Sequence, residues 1–301
     1  MLCLNNFVIT GVVDDSTDLA SRISSFAGLK VWEVFSNVTK VLVGIQNENC
    51  VVDDEGSVLL LHGIFLGESP LSLLNNVTED FETFSREYRH QGVLAFIDKK
   101  RRTIRVLGDP LGTRIVFYLT SPRVFIISTD MKLLKSTTQA LNIQLKLDTL
   151  ALYEIMNIGY IVSRRTIFKN VSRLLPGEGI FIRVSENTFE YDVSRYWNIT
   201  PISMPRENKD VIAQLLKQVI NQLNNYCKET LGSLIAVPIS GGIDSSLLLL
   251  LASKSRECRQ IHAVHMNIEN HRELLLSKLI SVKARVPAYI QAFSLSQLRE
   301  E

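Results

Sequence analysis

The chain has 301 residues, of which 46% are hydrophobic and 21% charged. This composition is typical of soluble globular proteins, and the length allows two domains. The formal net charge of +2 gives no reason to expect nucleic acid as a partner. Because the sequence has no apolar run of roughly 20 residues and no signal-peptide pattern, we expect a cytoplasmic protein without a membrane partner.

The first part of the chain predicts an α+β domain. Short β-type runs follow one another at hairpin distances, and a charged tip at residues 99–102 separates two of them. Helical patterns interrupt these runs at residues 71–90 and 147–156. Strands that neighbour each other in sequence favour antiparallel pairing, with helices covering the outer faces. Residues 196–208 carry two prolines and many polar residues, which predicts a linker after a first domain at 1–195.

Residues 209–301 predict a second domain of a different type. Apolar residues at Val211, Leu215, Ile220 and Leu223 indicate an amphipathic helix. Next come strand 234–239, a glycine turn, helix 246–255, strand 261–268, helix 270–284 and strand 288–293. Strands that alternate with helices favour a parallel sheet.

The glycine turn, in the stretch "VPISGGIDSSLLLLLA" at residues 237–252, is typical of a phosphate site. A strand, a tight turn and a helix in this order bring free backbone N–H groups to one point, where an anion is favoured. The hydroxyls of Ser240, Ser245 and Ser246 add donors, and Asp244 requires a bridging Mg²⁺ to face phosphate. Neither the Walker A pattern nor GxGxxG fits. The alternative is an ordinary strand-to-helix turn in which the glycines serve the bend.

Several motifs, in order, resemble the asparagine synthetase family. The turn resembles the SGG-x-D-S pattern of its ATP pyrophosphatase (PP-loop) domain. "GDPLGTRIVFY", "STDMKLL", "TIFKNVSRLLPGEGIFI" and "RYW" resemble segments of its first domain. The resemblance runs from Phe7 to the end of the chain. It implies a four-layer αββα N-terminal-nucleophile-like domain followed by a partial parallel α/β domain of the PP-loop, adenine nucleotide α-hydrolase-like type.

The resemblance also implies an activity and a binding site. In that family the first domain is a glutaminase, and the second uses Mg·ATP to adenylate aspartate, after which ammonia displaces AMP. The resemblance implies that the pyrophosphate loop of this chain comprises Ser240, Gly241, Gly242, Asp244, Ser245 and Ser246, with Mg²⁺ held through Asp244. Ile239 and Val264, at strand ends, line the adenine and ribose pocket or else are core residues. An amide-forming synthetase of the β-lactam synthetase type and a non-catalytic ATP-binding protein remain alternatives.

The glutaminase pattern is altered at several positions. Phe7 stands where the family has its nucleophilic cysteine, whose own α-amine acts as base. Cys3 is the nearby thiol, but removal of Met1 exposes Leu2 instead. The family's N-G-E is "HGI" at His62–Ile64, and Gln91 replaces an aspartate. No arginine occurs between positions 22 and 86, where the family clamps the substrate carboxylate. We therefore expect an inactive glutaminase domain and free ammonia or another amine as the nitrogen source.

The family's synthetase domain continues beyond the segment that corresponds to Glu301. The sequence leaves open whether the chain is a fragment, a remnant, or a subunit completed by a partner chain or a second copy. His262, His265 and Arg272 are the cationic residues near the second parallel strand. Each is more typical of a strand end or helix surface than of a catalytic group, so the catalytic residues stay unassigned.

The four cysteines, Cys3, Cys50, Cys227 and Cys258, are scattered along the sequence. No CxxC pattern occurs and none has a histidine at ligand spacing, which argues against a metal site of the zinc type. The sparse usage predicts unpaired thiols in a reducing cytosol.

Overall fold

The computed structural model describes residues 2–3, 6–13, 18–36, 39–46, 50–65, 69–79, 81, 83–84, 90–199, 209–229, 234–268 and 271–293. The chain divides into two compact units, Met1–Thr200 and Pro201–Glu301. The division falls in the segment predicted as a linker, of which residues 200–208 lie outside the described residues.

The first unit contains two antiparallel sheets. One has the order β1-β6-β7-β8-β12-β13, with β5 also paired to β6. Its strands are β1 (Leu2–Cys3), β5 (Val51–Asp53), β6 (Ser57–Ile64), β7 (Gln91–Asp98), β8 (Thr103–Leu107), β12 (Glu178–Val184) and β13 (Phe189–Arg195). The hairpin predicted around residues 99–102 forms between β7 and β8, with Asp98 opposite Thr103.

The second sheet has the order β11-β9-β10-β2-β4-β3. Its strands are β2 (Phe7–Val13), β3 (Lys30–Ser36), β4 (Thr39–Ile45), β9 (Phe117–Thr120), β10 (Val124–Ser128) and β11 (Ser172–Arg173). All described neighbours pair antiparallel. The sequence pattern therefore predicted the pairing mode correctly.

Helices cover the outer faces of both sheets. Side chains from the two facing sheets form the central core, with Phe7 and Ile9 of β2 packing with Val93 and Ala95 of β7. Helix α2 (Pro70–Glu79) packs on the outer face of the first sheet. Helices α1 (Leu19–Ala27) and α3 (Met131–Ala140) pack on the second. The described layers are thus α, β, β and α, which confirms the predicted four-layer arrangement.

Three segments of the first unit are held by aspartate side chains. Asp130 caps α3 by accepting from Lys132 N at 2.7 Å and Leu133 N at 3.0 Å. Asp148 caps α4 (Thr149–Ile158) in the same way. In "GDPLGTR" the buried Asp109 accepts from the backbone N–H groups of 111, 113 and 114, each at 3.0 Å. The motif is therefore a loop folded around one carboxylate.

The second unit alternates helices and parallel strands. Helix α5 (Lys209–Glu229) precedes β14 (Leu234–Pro238), α6 (Ile243–Ala252), β15 (Gln260–Ile268), α7 (His271–Ala284) and β16 (Ala288–Phe293). The strands form one sheet in the order β14-β15-β16, parallel as predicted. One sheet face packs on α5, α6 and α7. Among the described residues of the other face, Leu234, Met266 and Tyr289 are exposed.

The prediction that the cysteines are unpaired is wrong for Cys227 and Cys258, which form a disulfide with a Cα–Cα distance of 5.2 Å. The last turn of α5 lies against the loop between α6 and β15, where Ser255 Oγ donates to Asn224 Oδ1 at 2.6 Å. The fold thus brings together two cysteines that are 31 residues apart. Cys3 and Cys50 are buried free thiols.

Candidate functional site: the glycine loop and the surroundings of Phe7

The glycine loop follows β14 and enters α6 directly. Gly241 has a φ of 78°, the left-handed region that favours glycine. A Cβ at Gly241 would lie 2.7 Å from Leu276 Cβ and 3.2 Å from the Glu273 carbonyl oxygen. The loop therefore passes close to α7, and both the backbone conformation and the space require glycine at position 241.

The start of α6 presents backbone donors without a side-chain cap. Gly242 is the N-cap residue, and no side chain hydrogen-bonds to the first turn. The first N–H groups of an α-helix have no intrahelical acceptor, and the helix dipole adds positive potential there. The helix begins at Ile243, three residues before the predicted position, because Gly242 takes the extended N-cap conformation with a ψ of 164°.

The hydroxyl groups of the loop form long, weak contacts. Ser240 Oγ and Ser245 Oγ are 3.4 Å apart, and Gly242 N points to Ser240 Oγ at 3.4 Å. Ser245 Oγ is 3.3 Å from the Gly242 carbonyl oxygen. Strong hydrogen bonds of these types are nearer 2.7–3.0 Å. These donors are thus close together but weakly engaged, which leaves them available to an anion.

Asp244 and Ser246 complete the predicted loop. Asp244 is exposed in the first turn of α6, so its carboxylate reaches solvent beside the loop. Ser246 N already donates to the Gly242 carbonyl at 3.1 Å, which leaves its hydroxyl as the free donor. The structure therefore brings Ser240, Gly241, Gly242, Asp244 and Ser245 to one loop, with Ser246 one turn into the helix.

Ile239 and Val264 lie next to this loop. Ile239 is buried, and its N–H donates to the Val264 carbonyl at 2.8 Å. Val264 is half-buried on β15. Their backbone pairing sets the position where the chain leaves the sheet, and the contact with adenine or ribose stays a prediction.

His265 is a structural support of the loop that the sequence did not reveal. The side chain is buried, and Nδ1 lies 2.7 Å from the Ile239 carbonyl oxygen and 3.1 Å from Ser277 Oγ. Because a carbonyl oxygen only accepts, Nδ1 carries the proton in this contact. His265 thus connects the residue before Ser240 to α7. Alternation with Ile261 and Ala263 on the covered face was the signal for its burial.

The other cationic candidates have ordinary surroundings. His262 makes an edge-to-face contact with Tyr289, with ring centroids 4.9 Å apart. Arg272 is exposed in the first turn of α7. Across the described part of the chain, no three His, Cys, Asp or Glu side chains cluster in a way that could hold a metal ion. Nor is any helix within the described ranges long and apolar enough to cross a membrane.

In the first unit, Phe7 occupies an internal strand position. Its side chain is buried between the sheets, and its N–H donates to Thr129 Oγ1 at 3.0 Å. The Phe7 carbonyl accepts from Ser128 Oγ, also at 3.0 Å. A residue in this environment offers neither a nucleophilic side chain nor a free α-amine.

Strand β1, which precedes Phe7 in the chain, pairs with the strand that carries the "HGI" segment. Strand β1 pairs with β6 so that Cys3 is opposite Gly63 and Leu2 opposite Ile64. On the other side of β6, Ile64 pairs with Gln91 of β7. His62 is buried and Ile64 is half-buried. The backbone edge beside "HGI" is therefore covered by the chain's own N-terminal strand.

Cys3 has the environment of an inert thiol. Burial raises the pKa of the Cys3 thiol well above its ordinary value, and a hydrogen bond with Cys50 raises the pKa further. The thiolate is the nucleophilic form of cysteine. Cys3 is therefore protonated at neutral pH and, being followed by three residues before β2, does not substitute for a cysteine at position 7.

We expect no glutaminase activity from this chain. The expected result is no release of glutamate from glutamine above the blank, with or without ATP, because Phe7 is buried and Cys3 is protonated. The matched variant Cys3→Ser should give the same blank reading in a coupled glutamate assay. Glutamate release that disappears in Cys3→Ser, or after labelling of Cys3 by a thiol-directed glutamine analogue, would contradict this prediction.

Comparison with protein families supports the class of the first unit. Residues 82–197 match the family model described as a glutamine amidotransferase domain. This segment includes β7 to β13 and is similar to a glutamine amidotransferase domain. The prediction of an amidotransferase-like first domain is therefore supported over these strands. The comparison with curated proteins gives no match.

Three solved structures are similar at low identity. An NH3-dependent NAD synthetase from Campylobacter jejuni in complex with nitrate is 18% identical over 29% of this chain and 38% of its own, with a TM-score of 0.25. The allosteric regulatory enzyme of purine biosynthesis is 9% identical over 96% and 80%, with a TM-score of 0.39. Glutamine phosphoribosylpyrophosphate amidotransferase from B. subtilis, complexed with ADP and GMP, is 10% identical over 95% and 65%, with a TM-score of 0.37.

Proposed function

We propose that the chain is an ATP-dependent, AMP-forming amide ligase of the asparagine synthetase type that uses free ammonia or another amine. The observation that carries the proposal is the glycine loop, where an uncapped helix start and two weakly engaged serine hydroxyls meet at the end of β14. Anion sites in parallel α/β sheets lie at this end of the strands. The amidotransferase-like first unit supports a role in nitrogen transfer.

The residues of the loop fit the pyrophosphate part of Mg·ATP. The N–H groups at the start of α6 and the hydroxyls of Ser240, Ser245 and Ser246 would donate to phosphate oxygens. The exposed Asp244 carboxylate supplies the oxygen ligand that Mg²⁺ prefers. When bound, ATP supplies the leaving group that activates a carboxylate, with aspartate as the proposed substrate.

His265 would act by holding the loop in position. Its contact with the Ile239 carbonyl fixes the residue before Ser240, and its contact with Ser277 fixes α7 behind Gly241. A loop held this way keeps its donors in place without reorganising when an anion arrives. His265 is therefore a positioning residue in this proposal.

A second candidate function is that of a partner-dependent nucleotide-binding protein. The observation in its favour is the exposed apolar surface of the second unit, where Leu275, Leu279 and Val282 of α7 are 61%, 65% and 78% exposed. Contiguous exposed apolar side chains of this kind often mark interaction surfaces. In this alternative a partner subunit, or a second copy, would complete the site around the carboxylate.

One experiment tests the function and separates the two candidates. The chain should bind Mg·ATP in calorimetry, and Asp244→Ala should weaken binding about tenfold or more by removing a charged ligand. Glu186→Ala, which removes an exposed carboxylate in the first unit, is the control for a general charge effect. AMP formation is then measured with aspartate and ammonium.

The outcomes of this experiment differ for each candidate. AMP formation that depends on aspartate and ammonium and is lost in Asp244→Ala supports the ligase. If turnover appears with added partner subunits or rises steeply with protein concentration, the site is completed by another chain. Mg·ATP binding without AMP formation under all these conditions supports the second candidate. Absence of Mg·ATP binding would contradict both.

A further inference from the structure

A polar cavity lies in the first unit, where the edges of the two sheets face each other. Its volume is about 590 Å³, and β9, β11 and β13 contribute to its walls together with the segment 164–170. Cavities of roughly 300–1,000 Å³ accommodate small-molecule ligands. Phe7, His62, Ile64 and Gln91, where the sequence departs from the glutaminase pattern, do not line it.

Hydroxyl groups line the cavity wall. They occupy the side of each strand that, further along the same strand, carries apolar side chains of the core. Tyr118 belongs to the core between the sheets, and Ser172 lies opposite it in the β9–β11 register. Thr120 is two residues further along β9, and Tyr191 lies between Phe189 and Val193 of β13, which both pack on the core. Because alternate residues of a strand face the same side, all these hydroxyls point into the space between the sheets.

One cationic group at the cavity is fixed and neutralised. Arg164 donates to Glu178 through two nitrogens, at 2.7 Å and 2.8 Å, and to the Tyr118 hydroxyl at 3.3 Å. Burial lowers the pKa of the Arg164 guanidinium, but the hydrogen bonds to Glu178 and Tyr118 outweigh burial and raise it. Arg164 therefore orients the Tyr118 hydroxyl and contributes little net charge.

Lys169 supplies the free positive charge. Its side chain is exposed at the cavity and forms no ion pair with any residue in the described ranges. Asn170 adds an amide that donates and accepts hydrogen bonds. The Asp192 side chain, between Tyr191 and Val193 on β13, faces the opposite side of the sheet. The site thus combines one unpaired ammonium, several hydroxyl donors and one amide.

We propose that this cavity binds a sugar phosphate. Lys169 and the hydroxyls of Ser172 and Thr120 would donate to the phosphate group, which takes more donors than a carboxylate does. The Asn170 amide hydrogen-bonds ligand hydroxyls, and the half-exposed Tyr191 ring covers the carbohydrate. Since every residue involved belongs to the first unit, this proposal does not depend on ATP binding at the glycine loop.

Calorimetry of the full chain with ribose 5-phosphate tests the proposal. We expect saturable binding at least tenfold tighter than that of inorganic phosphate, ribose or gluconate measured separately. Lys169→Ala should weaken binding about tenfold or more, and Tyr191→Phe severalfold, since each removes a donor. Lys146→Ala is the matched control. Lys146 is an exposed lysine that lies beside Lys169, since its carbonyl accepts from Lys169 N at 2.9 Å. Its side chain does not line the cavity.

Three results would overturn the proposal. One is the absence of saturable ribose 5-phosphate binding by a folded protein. Another is equal weakening by Lys169→Ala and Lys146→Ala, which would indicate nonspecific attraction between charges. The third is inorganic phosphate or gluconate binding as tightly as ribose 5-phosphate, which would show that the cavity selects a different class of anion.

Discussion

Replacing Gly241 by alanine should abolish Mg·ATP binding and destabilise the second unit by about 2–5 kcal/mol. A φ of 78° costs an L-residue roughly 1–2 kcal/mol. The added Cβ would also lie 2.7 Å from Leu276 Cβ and 3.2 Å from the Glu273 carbonyl, and overpacking typically costs about 1–3 kcal/mol. Relief requires the loop or α7 to move, which displaces the donors of the proposed phosphate site.

Gly242→Ala is the matched control for this substitution. Gly242 has a φ of −71°, which alanine adopts without strain. Its added Cβ would meet Ser240 Oγ at 3.4 Å, an ordinary contact. Stability should change by less than about 1 kcal/mol. Chemical denaturation and Mg·ATP calorimetry of the two variants provide the comparison. Equal effects of both substitutions would show that the backbone conformation at Gly241 does not control the site.

Much of the second unit could be predicted from the sequence because its signals are local. The strands carry apolar and β-branched runs, and glycines mark the turn between β14 and α6. The error in the start of α6 has a simple cause. Asp244 and Ser245 are typical of turns and caps, yet here they form the first helical turn because the backbone of Gly242 takes the N-cap position.

Other elements were missed because their signals depend on the folded chain. Helix α3 carries two adjacent threonines, Thr137 and Thr138, which lower helix propensity. They are tolerated because the Thr137 hydroxyl bonds the Leu133 carbonyl at 2.9 Å and the buried face packs on the second sheet. The cap at Asp130 was a usable signal for this helix.

The burial of His265 and the cavity at the sheet edges needed the tertiary structure. His265 alternates with apolar residues along β15, but its partners Ile239 and Ser277 come from different elements. The cavity likewise gathers Tyr118, Lys169 and Tyr191 from strands and loops that are far apart in sequence. Local patterns report which side of an element is buried, and they do not report which distant groups meet there.

The cysteine pairing is the clearest example of this limit. Cys227 and Cys258 have no common motif, because one ends a helix and the other lies in a loop 31 residues later. Around them, Cys258 N donates to Ser255 Oγ at 3.2 Å, and Lys228 Nζ lies 3.6 Å from Glu257 Oε1. These contacts hold the end of α5 against the loop before β15, and the disulfide fixes the same junction covalently.

Reduction of this disulfide should lower the melting temperature of the second unit by about 12–32 °C. The disulfide closes a loop with a sequence separation of 31. This closure lowers the entropy of the unfolded chain, which stabilises the folded state by about 3–4 kcal/mol. Each kcal/mol corresponds to roughly 4–8 °C for a unit of this size. Both sulfurs are buried, so reduction requires opening of the α5 junction and should be slow in the folded protein.

The measurement is differential scanning calorimetry with and without a phosphine reductant, beside the double variant Cys227→Ser/Cys258→Ser. The double variant should melt at the temperature of the reduced wild type and should not respond to the reductant, because Cys3 and Cys50 are already free thiols. Alkylation followed by mass spectrometry identifies which cysteines were protected before reduction. If the oxidised and fully reduced proteins melt together, the contacts of Ser255 and Lys228 are sufficient to hold the junction, and the disulfide does not contribute to its stability.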